Sequence, residues 1–271
     1  MMTRRLALYG VLICGAVMFL YPFLWMGASS LRPDRESTGF GLTASSYSLE
    51  HYYRVFDSIP VAQALINSLI VSIAVTLSVL TTGALAGYAL ARLDLAGRGL
   101  ILLTVTGSMM VPHQLLLIPV YSLIVRLGWT DSYFGLIIPF MVNCMAILMF
   151  TEFFRGIPES LVEAARIDGC TELGILWRII LPLSRPILTT VGIIAFMGAW
   201  NEVLWPLLVV RQQDMMTLPQ MVTLYAVGGA SESALGVEMA ASFLLILPMA
   251  GLYLFLQRYF IEGIASSGQK E

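Results

Sequence analysis

Long stretches without charged residues are the feature that most restricts how this chain can fold. Because an α-helix rises about 1.5 Å per residue, about 20 apolar residues can cross the hydrocarbon core of a bilayer. Uncharged runs of about that length cover residues 6–31, 58–91, 99–125, 132–151 and 239–257, and a sixth run, 186–210, is interrupted only by Glu202. The predicted membrane spans are about 6–31, 64–91, 99–125, 132–154, 186–209 and 239–259.

The composition also indicates a membrane protein. Of the 271 residues, 58% are hydrophobic and 12% are charged, whereas soluble domains average about 45–50% and about 25%. Six spans leave little chain for a soluble domain, so we expect residues 1–271 to form one all-α transmembrane domain. Arg4 and Arg5 before the first run resemble the start of an export signal, but the run is longer than the usual apolar length of about 7–15 residues, which favours an uncleaved anchor.

The distribution of cationic residues predicts the orientation of the chain. With a cytoplasmic N-terminus, ten Lys and Arg residues lie inside and five lie outside, which agrees with the tendency of short cationic loops to stay in the cytoplasm. The inside set is Arg4, Arg5, Arg92, Arg98, Arg155, Arg166, Arg178, Arg185, Arg258 and Lys270. The outside set is Arg32, Arg35, Arg54, Arg126 and Arg211. Both termini are therefore predicted to be cytoplasmic.

Catalytic chemistry has little support in the sequence. A nucleotide-binding P-loop needs a lysine after its glycines, and the only lysine is Lys270, close to the C-terminus. His51 and His113, the only histidines, have no partners at the spacing of a metal site or a catalytic triad. We therefore expect no catalytic residue, no metal site and no cofactor bound by this chain.

A charged segment, residues 158–181, separates the fourth and fifth predicted spans and is expected in the cytoplasm. A short helix over 159–168 can end at Gly169, because glycine readily adopts a left-handed conformation. Thr171 can cap a second helix, which Pro182 is expected to stop. The apolar face of the second helix is predicted to contain Leu173, Leu176, Ile179 and Ile180.

Two interpretations of the 158–181 segment follow from its residues alone. An amphipathic hairpin could lie on the lipid surface, with Arg166, Trp177 and Arg178 as interfacial anchors. Alternatively, the small side chains of Ala164 and Ala165 could let the backbone of another protein approach closely. The residue pattern does not decide between these interpretations.

The motifs in this segment resemble a known family. Glu163-Ala164-Ala165, Asp168-Gly169 and Leu181-Pro182 are similar to the EAA loop of permeases from binding-protein-dependent ABC importers. In that family the loop docks a short coupling helix into a cleft of a separate ATPase subunit. The resemblance implies that the ATPase-coupling residues are Glu163, Ala164, Ala165, Asp168, Gly169, Leu176 and Pro182.

The resemblance extends along the chain and points to the carbohydrate-uptake branch, of the maltose type. The matching motifs include Pro22 to Met26, Ser30-Leu31-Arg32-Pro33, Asn67-Ser68-Leu69, Ala86 to Arg92, Ile118-Pro119, Trp200-Asn201-Glu202 and Trp205-Pro206-Leu207. It implies a type I ABC importer permease fold in a bacterial inner membrane. The implied partners are a second, homologous permease, two cytoplasmic ATPases that bind ATP and Mg, and an extracytoplasmic sugar-binding protein.

Two other functions are compatible with parts of the sequence. An ABC importer could carry another solute, such as glycerol phosphate or a polyamine. An ion-coupled secondary transporter is disfavoured by the ATPase-docking motif and by the lack of a visible internal repeat, which many such carriers have. The sequence does not identify the sugar.

Polar residues within the predicted spans are candidates for the translocation pathway. Glu202 is costly in a bilayer unless it is paired or faces water, so it is expected either to line the pathway or to make a structural bond that orients Trp200 or a neighbouring helix. Asn201 allows the same two interpretations. His113 lies beside Pro112 and is expected to face the pathway or to pack against another helix.

The two longer outer loops have different compositions. Residues 31–60 are rich in aromatic residues, which favours a folded cap or a docking surface. Residues 211–237 contain Gly228-Gly229 and are expected to approach a partner flexibly. For either loop, a solvated connector is the alternative.

Overall fold

The computed structural model describes residues 2–37, 39, 41–227 and 235–267, and this part of the chain is helical without β-strands. The helices are α1 Met2–Ser30, α2 Glu50–Ser58, α3 Val61–Arg92, α4 Arg98–Ser108, α5 Leu117–Arg126, α6 Tyr133–Ile137 and α7 Cys144–Arg155. They continue with α8 Glu159–Ile167, α9 Glu172–Ile175, α10 Leu181–Leu183, α11 Arg185–Trp200, α12 Leu204–Val209, α13 Leu218–Val227 and α14 Leu235–Ser267. Gly228-Gly229 and Lys270, which the sequence analysis singles out, lie outside the described residues.

Helix length and apolarity identify two clear membrane-crossing helices in the described part of the chain. They are Leu8–Ser30, within α1, and α3. Three further pairs of helices are long and apolar enough together, but they bend by 89°, 44° and 85°. The pairs are Arg98–Ser108 with His113–Arg126, Tyr133–Phe140 with Cys144–Arg155, and Glu172–Leu183 with Arg185–Trp200. A shorter apolar stretch, Leu235–Gly251, belongs to α14.

Each of the spans predicted at 99–125, 132–154 and 186–209 consists of shorter helices separated by breaks. The stretch 99–125 breaks at Pro112. The stretch 186–209 breaks after Trp200, and Pro206 lies four residues beyond Glu202. A proline lacks the N–H for the helix ladder, and its ring collides with the carbonyl group four residues earlier. In membrane proteins such breaks persist where neighbouring groups satisfy the freed backbone.

Close packing between α3 and α7 depends on two glycines of α3. A Cβ added at Gly87 would lie 2.6 Å from Phe150 Cβ and 3.1 Å from the Thr151 backbone nitrogen. A Cβ at Gly83 would lie 3.0 Å from the ring of Phe150 and 3.3 Å from Ala146 Cβ. Small residues of this kind let membrane helices pack at short distance.

Two apolar clusters occupy different parts of the described chain. The first joins α3, α7 and the 158–181 segment through residues such as Phe150, Phe154 and Val162. The second joins α2, α13 and α14 with the beginning of α3, and it includes Trp200. By contrast, the side chains of residues 8–24 of α1 are mostly exposed, so this helix presents apolar surface to lipid or to another subunit.

The described part of the segment 31–60 is folded. Arg32 is 1% exposed, and its guanidinium donates hydrogen bonds to the carbonyl oxygens of Gly39, at 2.8 Å, and Gly41. His51 Nε2 lies 2.6 Å from the Arg32 carbonyl oxygen, and Ser30 Oγ lies 2.8 Å from Tyr52 Oη. These bonds hold the loop against α2 and the end of α1, so the solvated connector is excluded for this segment.

The expectation of a flexible segment at 211–237 was wrong for residues 211–227. The Asn67 side chain donates to the carbonyl oxygens of Asp214, at 2.8 Å, and Met216, at 2.9 Å. The Leu218 backbone N–H donates to Ser68 Oγ at 2.8 Å. Since Asn67 and Ser68 are buried residues of α3, the loop is attached to the bundle, a long-range contact that loop composition does not reveal.

The contact between α3 and α7 leads to a prediction about glycine. We expect Gly87→Ala to destabilise the protein by about 1–3 kcal/mol, because the added methyl group overfills a close backbone contact. The matched control is Gly107→Ala, since a Cβ at Gly107 meets no atom within 4 Å. The measurement is the thermal midpoint of the purified, detergent-solubilised protein, and equal midpoints for the two variants would contradict the prediction.

Candidate functional site

The 158–181 segment consists of two short helices separated by a glycine. At the end of α8, the backbone N–H groups of Gly169 and Cys170 donate to the carbonyl oxygens of Arg166 and Ala165, each at 3.0 Å. Gly169 has a φ of +80°, which gives the helix a Schellman-type end that glycine favours. Thr171 Oγ1 accepts a hydrogen bond from the Gly174 N–H at 3.2 Å and so caps α9.

The second helix of this segment passes through Pro182 instead of ending there. Residues Leu176–Ile180 form a π-helical turn, in which the Leu181 N–H donates to the carbonyl oxygen of Leu176. The wider turn accommodates the missing N–H of Pro182. The chain then changes direction at Ser184, by 85° into α11. The helix that Pro182 is predicted to stop thus ends one residue later, at Leu183.

The side of the segment that faces the bundle is apolar and buried. Val162 and Ala165 of α8 pack there with Ile175, Leu176 and Ile180. Leu176 is therefore a core residue, and Leu173, which was predicted on the same face, is 60% exposed. Ala165 is 4% exposed, so its small side chain serves the packing of this chain.

The opposite side of the segment is exposed and mixed in character. Of the predicted coupling residues, those that lie at the surface are Glu163, Ala164, Asp168, Gly169 and Pro182. Beside them lie four large apolar side chains with exposed fractions between 43% and 85%. These side chains are Leu161, Ile167, Leu173 and Trp177.

Polar bonds tie the segment to the end of α3. Tyr88 Oη donates to Glu172 Oε2 at 2.6 Å, and Arg166 Nε donates to Glu172 Oε1 at 2.8 Å. The hydrogen bonds from Arg166 and then from Tyr88 lower the pKa of the Glu172 carboxyl group. The carboxylate form is therefore favoured in the folded protein, and this contribution to stability is lost as the pH falls through that lowered pKa. Arg92, at the end of α3, is also hydrogen-bonded to Glu159 of the segment.

A cavity of about 440 Å³ lies between α3, α7 and α11. Its wall is largely apolar and includes Val71, Val75 and Val79 of α3. The polar residues that line it are Ser68, His113, Asn143, Glu202 and Thr217. No Lys or Arg is among the described residues that line the cavity.

The structure brings two of the three predicted pathway residues to this cavity. Glu202 and His113 line it, whereas Asn201 is an exposed residue at the end of α11 and does not. Glu202 Oε1 also accepts a hydrogen bond from the Trp205 backbone N–H at 2.9 Å, which caps α12. The bond to a neighbouring helix, expected as one interpretation of Glu202, is therefore present together with exposure to the cavity.

Aromatic rings form one part of the cavity wall. The His113 and Phe140 rings have centroids 5.4 Å apart, and Phe140 meets Trp205 edge-on at 6.1 Å. Trp205 Nε1 donates to the Gly135 carbonyl oxygen at 2.9 Å. His113 thus both lines the cavity and packs against a ring of another helix.

Sequence reasoning missed several polar residues around these two sites. Asn143 lines the cavity and caps α7, with its Oδ1 accepting from the Ala146 N–H at 3.0 Å. Asn143 could have been found from the sequence, because asparagine is a preferred N-cap residue and stands inside an otherwise apolar run, where it indicates the start of a new helix. Thr217 carries no comparable signal, because its place depends on the return of a distant loop to α3. Among the described residues, no group of three or more His, Cys, Asp or Glu side chains could hold a metal ion.

Comparison with known proteins defines the class of this chain. Residues 79–264 match the family described as "Binding-protein-dependent transport system inner membrane component". The chain therefore belongs to this family, as its motifs predict, and it is a membrane protein of a transport system.

Two individual relatives are similar to this chain over almost its whole length. The chain is 34% identical over 271 residues to the arabinooligosaccharides transport system permease protein AraQ of Bacillus subtilis, covering 98% of this chain and 96% of the relative. It is 32% identical over 273 residues to the trehalose/maltose transport system permease protein MalG of Thermococcus litoralis, covering 99% and 98%.

A solved structure supports the fold. The chain superposes with a TM-score of 0.80 and 24% identity on a crystal structure of a bacterial ABC transporter involved in the import of the acidic polysaccharide alginate. The match covers 95% of this chain and 97% of the other. The predicted all-helical permease architecture is confirmed at the level of the fold.

The two environments of Glu202 lead to a prediction with two variants. We expect Glu202→Ala to lower stability by about 0.5–2 kcal/mol, because the cap of α12 is lost. Glu202→Gln keeps an acceptor oxygen and should retain the parent thermal midpoint and the parent yield of purified complex. Uptake by the Gln variant then reports on the charge that faces the cavity. Equal stability of the Ala variant and the parent would contradict the capping role.

Proposed function

We propose that this chain is a permease subunit of an ATP-driven importer that moves a sugar, delivered by an extracytoplasmic binding protein, into the cytoplasm. The observation that carries the proposal is the 158–181 segment. Its inner side is buried in the bundle, while its outer side presents Ala164 and Gly169 among exposed apolar side chains. Such a surface suits contact with another protein, since exposed apolar patches commonly mark interaction sites.

The proposed topology has six membrane passes. The two clear spans, the three bent pairs and α14 supply them, with the bends placed where the cavity and the 158–181 segment lie. Both termini and the 158–181 segment are placed in the cytoplasm, on the basis of the ten-to-five distribution of cationic residues. The outer cap at residues 31–60 then lies outside the cytoplasm.

The proposed mechanism assigns ATP hydrolysis to separate subunits. Two cytoplasmic ATPases bind ATP and Mg, and one of them receives the 158–181 segment of this chain. Closure of the ATPases draws this segment and its counterpart in a second, homologous permease together. The helix bundles then rotate from an inward-facing to an outward-facing arrangement, and the sugar leaves its binding protein. This chain itself supplies no catalytic group and no cofactor site.

The lining of the cavity favours a neutral, hydroxyl-rich cargo over an anionic one. Its polar groups are a carboxylate, an amide, a histidine and two hydroxyl groups. The described lining residues include no Lys or Arg. Phosphate recognition generally uses Arg or Lys. Glycerol phosphate, the cargo named for UgpE of Yersinia enterocolitica, which is 31% identical over 211 residues, is therefore the less favoured alternative.

The test of the proposed function is uptake into proteoliposomes that contain this chain with its partner permease and ATPases. We expect uptake of a sugar to require both MgATP on the ATPase side of the membrane and the sugar-loaded binding protein on the other side. Uptake driven by a proton or sodium gradient without ATP would instead establish the secondary transporter. Uptake of glycerol phosphate with no uptake of any sugar in a panel would exclude a carbohydrate cargo.

The exposed side of the 158–181 segment leads to a prediction about ATPase docking. We expect Ala164→Trp to weaken co-purification of the ATPase, because a large side chain prevents close approach. Ala96→Trp is the matched control, since Ala96 is exposed in the loop between α3 and α4 and outside the segment. Ala165→Trp is unsuitable, because Ala165 is buried in the core of this chain. Equal ATPase recovery in both variants would exclude docking at Ala164.

The proposed orientation can be tested with single cysteines on a background that lacks Cys14, Cys144 and Cys170. We expect Thr43→Cys to react with an impermeant maleimide added to intact cells and Asp94→Cys to react only after lysis. Both positions are exposed. The reverse pattern of labelling would invert the orientation.

A further inference from the structure

Arg92 connects three helices with one buried guanidinium group. It is the last residue of α3, and its side chain is 4% exposed. Its Nη1 donates to Glu159 Oε2 at 2.5 Å, and its Nη2 donates to the carbonyl oxygens of Phe154, at 2.5 Å, and Ile157. Phe154 belongs to the end of α7, and Glu159 begins α8. A buried charge is stabilised only by such close partners, so these contacts fix the position of the side chain.

A second set of bonds lies about one helical turn earlier on α3. Tyr88 Oη donates to Glu172, the first residue of α9, and Glu172 in turn accepts from Arg166 of α8. Arg166 Nη2 also donates to the Arg92 carbonyl oxygen at 3.4 Å. Tyr88 and Arg92 together therefore hold both helices of the 158–181 segment. We refer to Tyr88, Arg92, Glu159, Arg166 and Glu172 as the α3 clamp.

The same helix that carries the clamp also forms part of the cavity wall. Val71, Val75 and Val79 line the cavity, and Val75 lies 17 residues before Arg92, or about 26 Å along the helix axis. Apolar packing between the segment and α3 resists separation but has no preferred direction. The hydrogen bonds of the clamp have defined geometry, so they also resist sliding and rotation of the segment against α3.

We propose that Tyr88 and Arg92 are positioning residues that make the 158–181 segment and α3 move as one body, so that displacement of the segment displaces the cavity wall. This inference rests on the proposed function, in which an ATPase moves the segment. The residues of the clamp are not among those that line the cavity. Its role is to convert a movement at the surface of the segment into a change of access to the cavity.

The experiment uses the complete transporter in proteoliposomes and the native Cys144, which lines the cavity. Cys14 and Cys170 are replaced by serine, and an impermeant maleimide is added on the side of the binding protein. The readout is the ratio of Cys144 labelling rates with MgATP and vanadate and without nucleotide. The variants are Arg92→Gln, which removes the charge, and Tyr88→Phe, which removes one oxygen atom. Arg155→Gln is the matched control, because Arg155 at the end of α7 forms an ion pair with nearby Glu152 and with no other acidic residue in the described part of the chain.

We expect the parent and Arg155→Gln complexes to show a nucleotide-dependent change in labelling. In the Arg92→Gln and Tyr88→Phe complexes, that change should be lost, while the amount of bound ATPase and the KM for ATP stay at the parent values. A reduced yield with a parent-like labelling ratio in the surviving complex would make the clamp structural only and would overturn the proposal. A parent-like ratio and yield in both variants would overturn it as well.

The design separates this inference from the proposed function. If labelling of Cys144 in the parent complex is the same with and without nucleotide, the ATP-driven mechanism is wrong and the clamp has no movement to transmit. If the parent responds and the two clamp variants respond equally well, only the inference about Tyr88 and Arg92 is wrong.

Discussion

Every break in a membrane helix leaves backbone N–H and C=O groups that lipid cannot hydrogen-bond. In this structure, polar side chains at the breaks form those hydrogen bonds. Asn143 supplies an acceptor where α7 begins, and Glu202 does so where α12 begins. At the end of α7, Arg92 supplies donors to carbonyl groups that have left the helix ladder. Asn67 does the same for the carbonyl groups of Asp214 and Met216. The breaks create the cavity and the sharp turns, and these polar side chains make the breaks stable.

The uninterrupted helix α3 is the element to which the broken ones are attached. Near its beginning, Asn67 holds residues 214–216, and in its middle three valines face the cavity. Further along, Gly83 and Gly87 admit α7 at short distance, and the α3 clamp follows at its end. A ligand or partner that acts on any one of these regions acts on the same rigid element, which gives a physical route between the two sides of the membrane.

The sequence predicted the membrane class, the family and the helical segment at 158–181 because these depend on local composition, glycine and capping. Its prolines, such as Pro112, indicated where a helix could break, but they did not predict the bend angles, since an apolar run gives the same signal whether the helix is slightly kinked or sharply bent. It also misplaced Ala165, which is buried, and Leu173, which is exposed, because the side of the segment that packs against the bundle is set by tertiary contacts. The two backbone carbonyl groups that accept from Asn67 lie more than 140 residues away, and such pairings depend on tertiary structure that no local pattern encodes.

The position of α1 has a consequence for how the protein is made. Its side chains over residues 8–24 are mostly exposed, and near its end Gly27 faces Phe243 of α14, whose ring would lie 3.0 Å from an added Cβ. These two residues are 216 positions apart in the chain. At about 5–20 residues per second, a ribosome needs roughly ten to forty seconds to deliver the second after the first. During that time α1 has to remain in the bilayer without its main helical partner, and a helix that is apolar on all sides can do so, since lipid alone satisfies its surface.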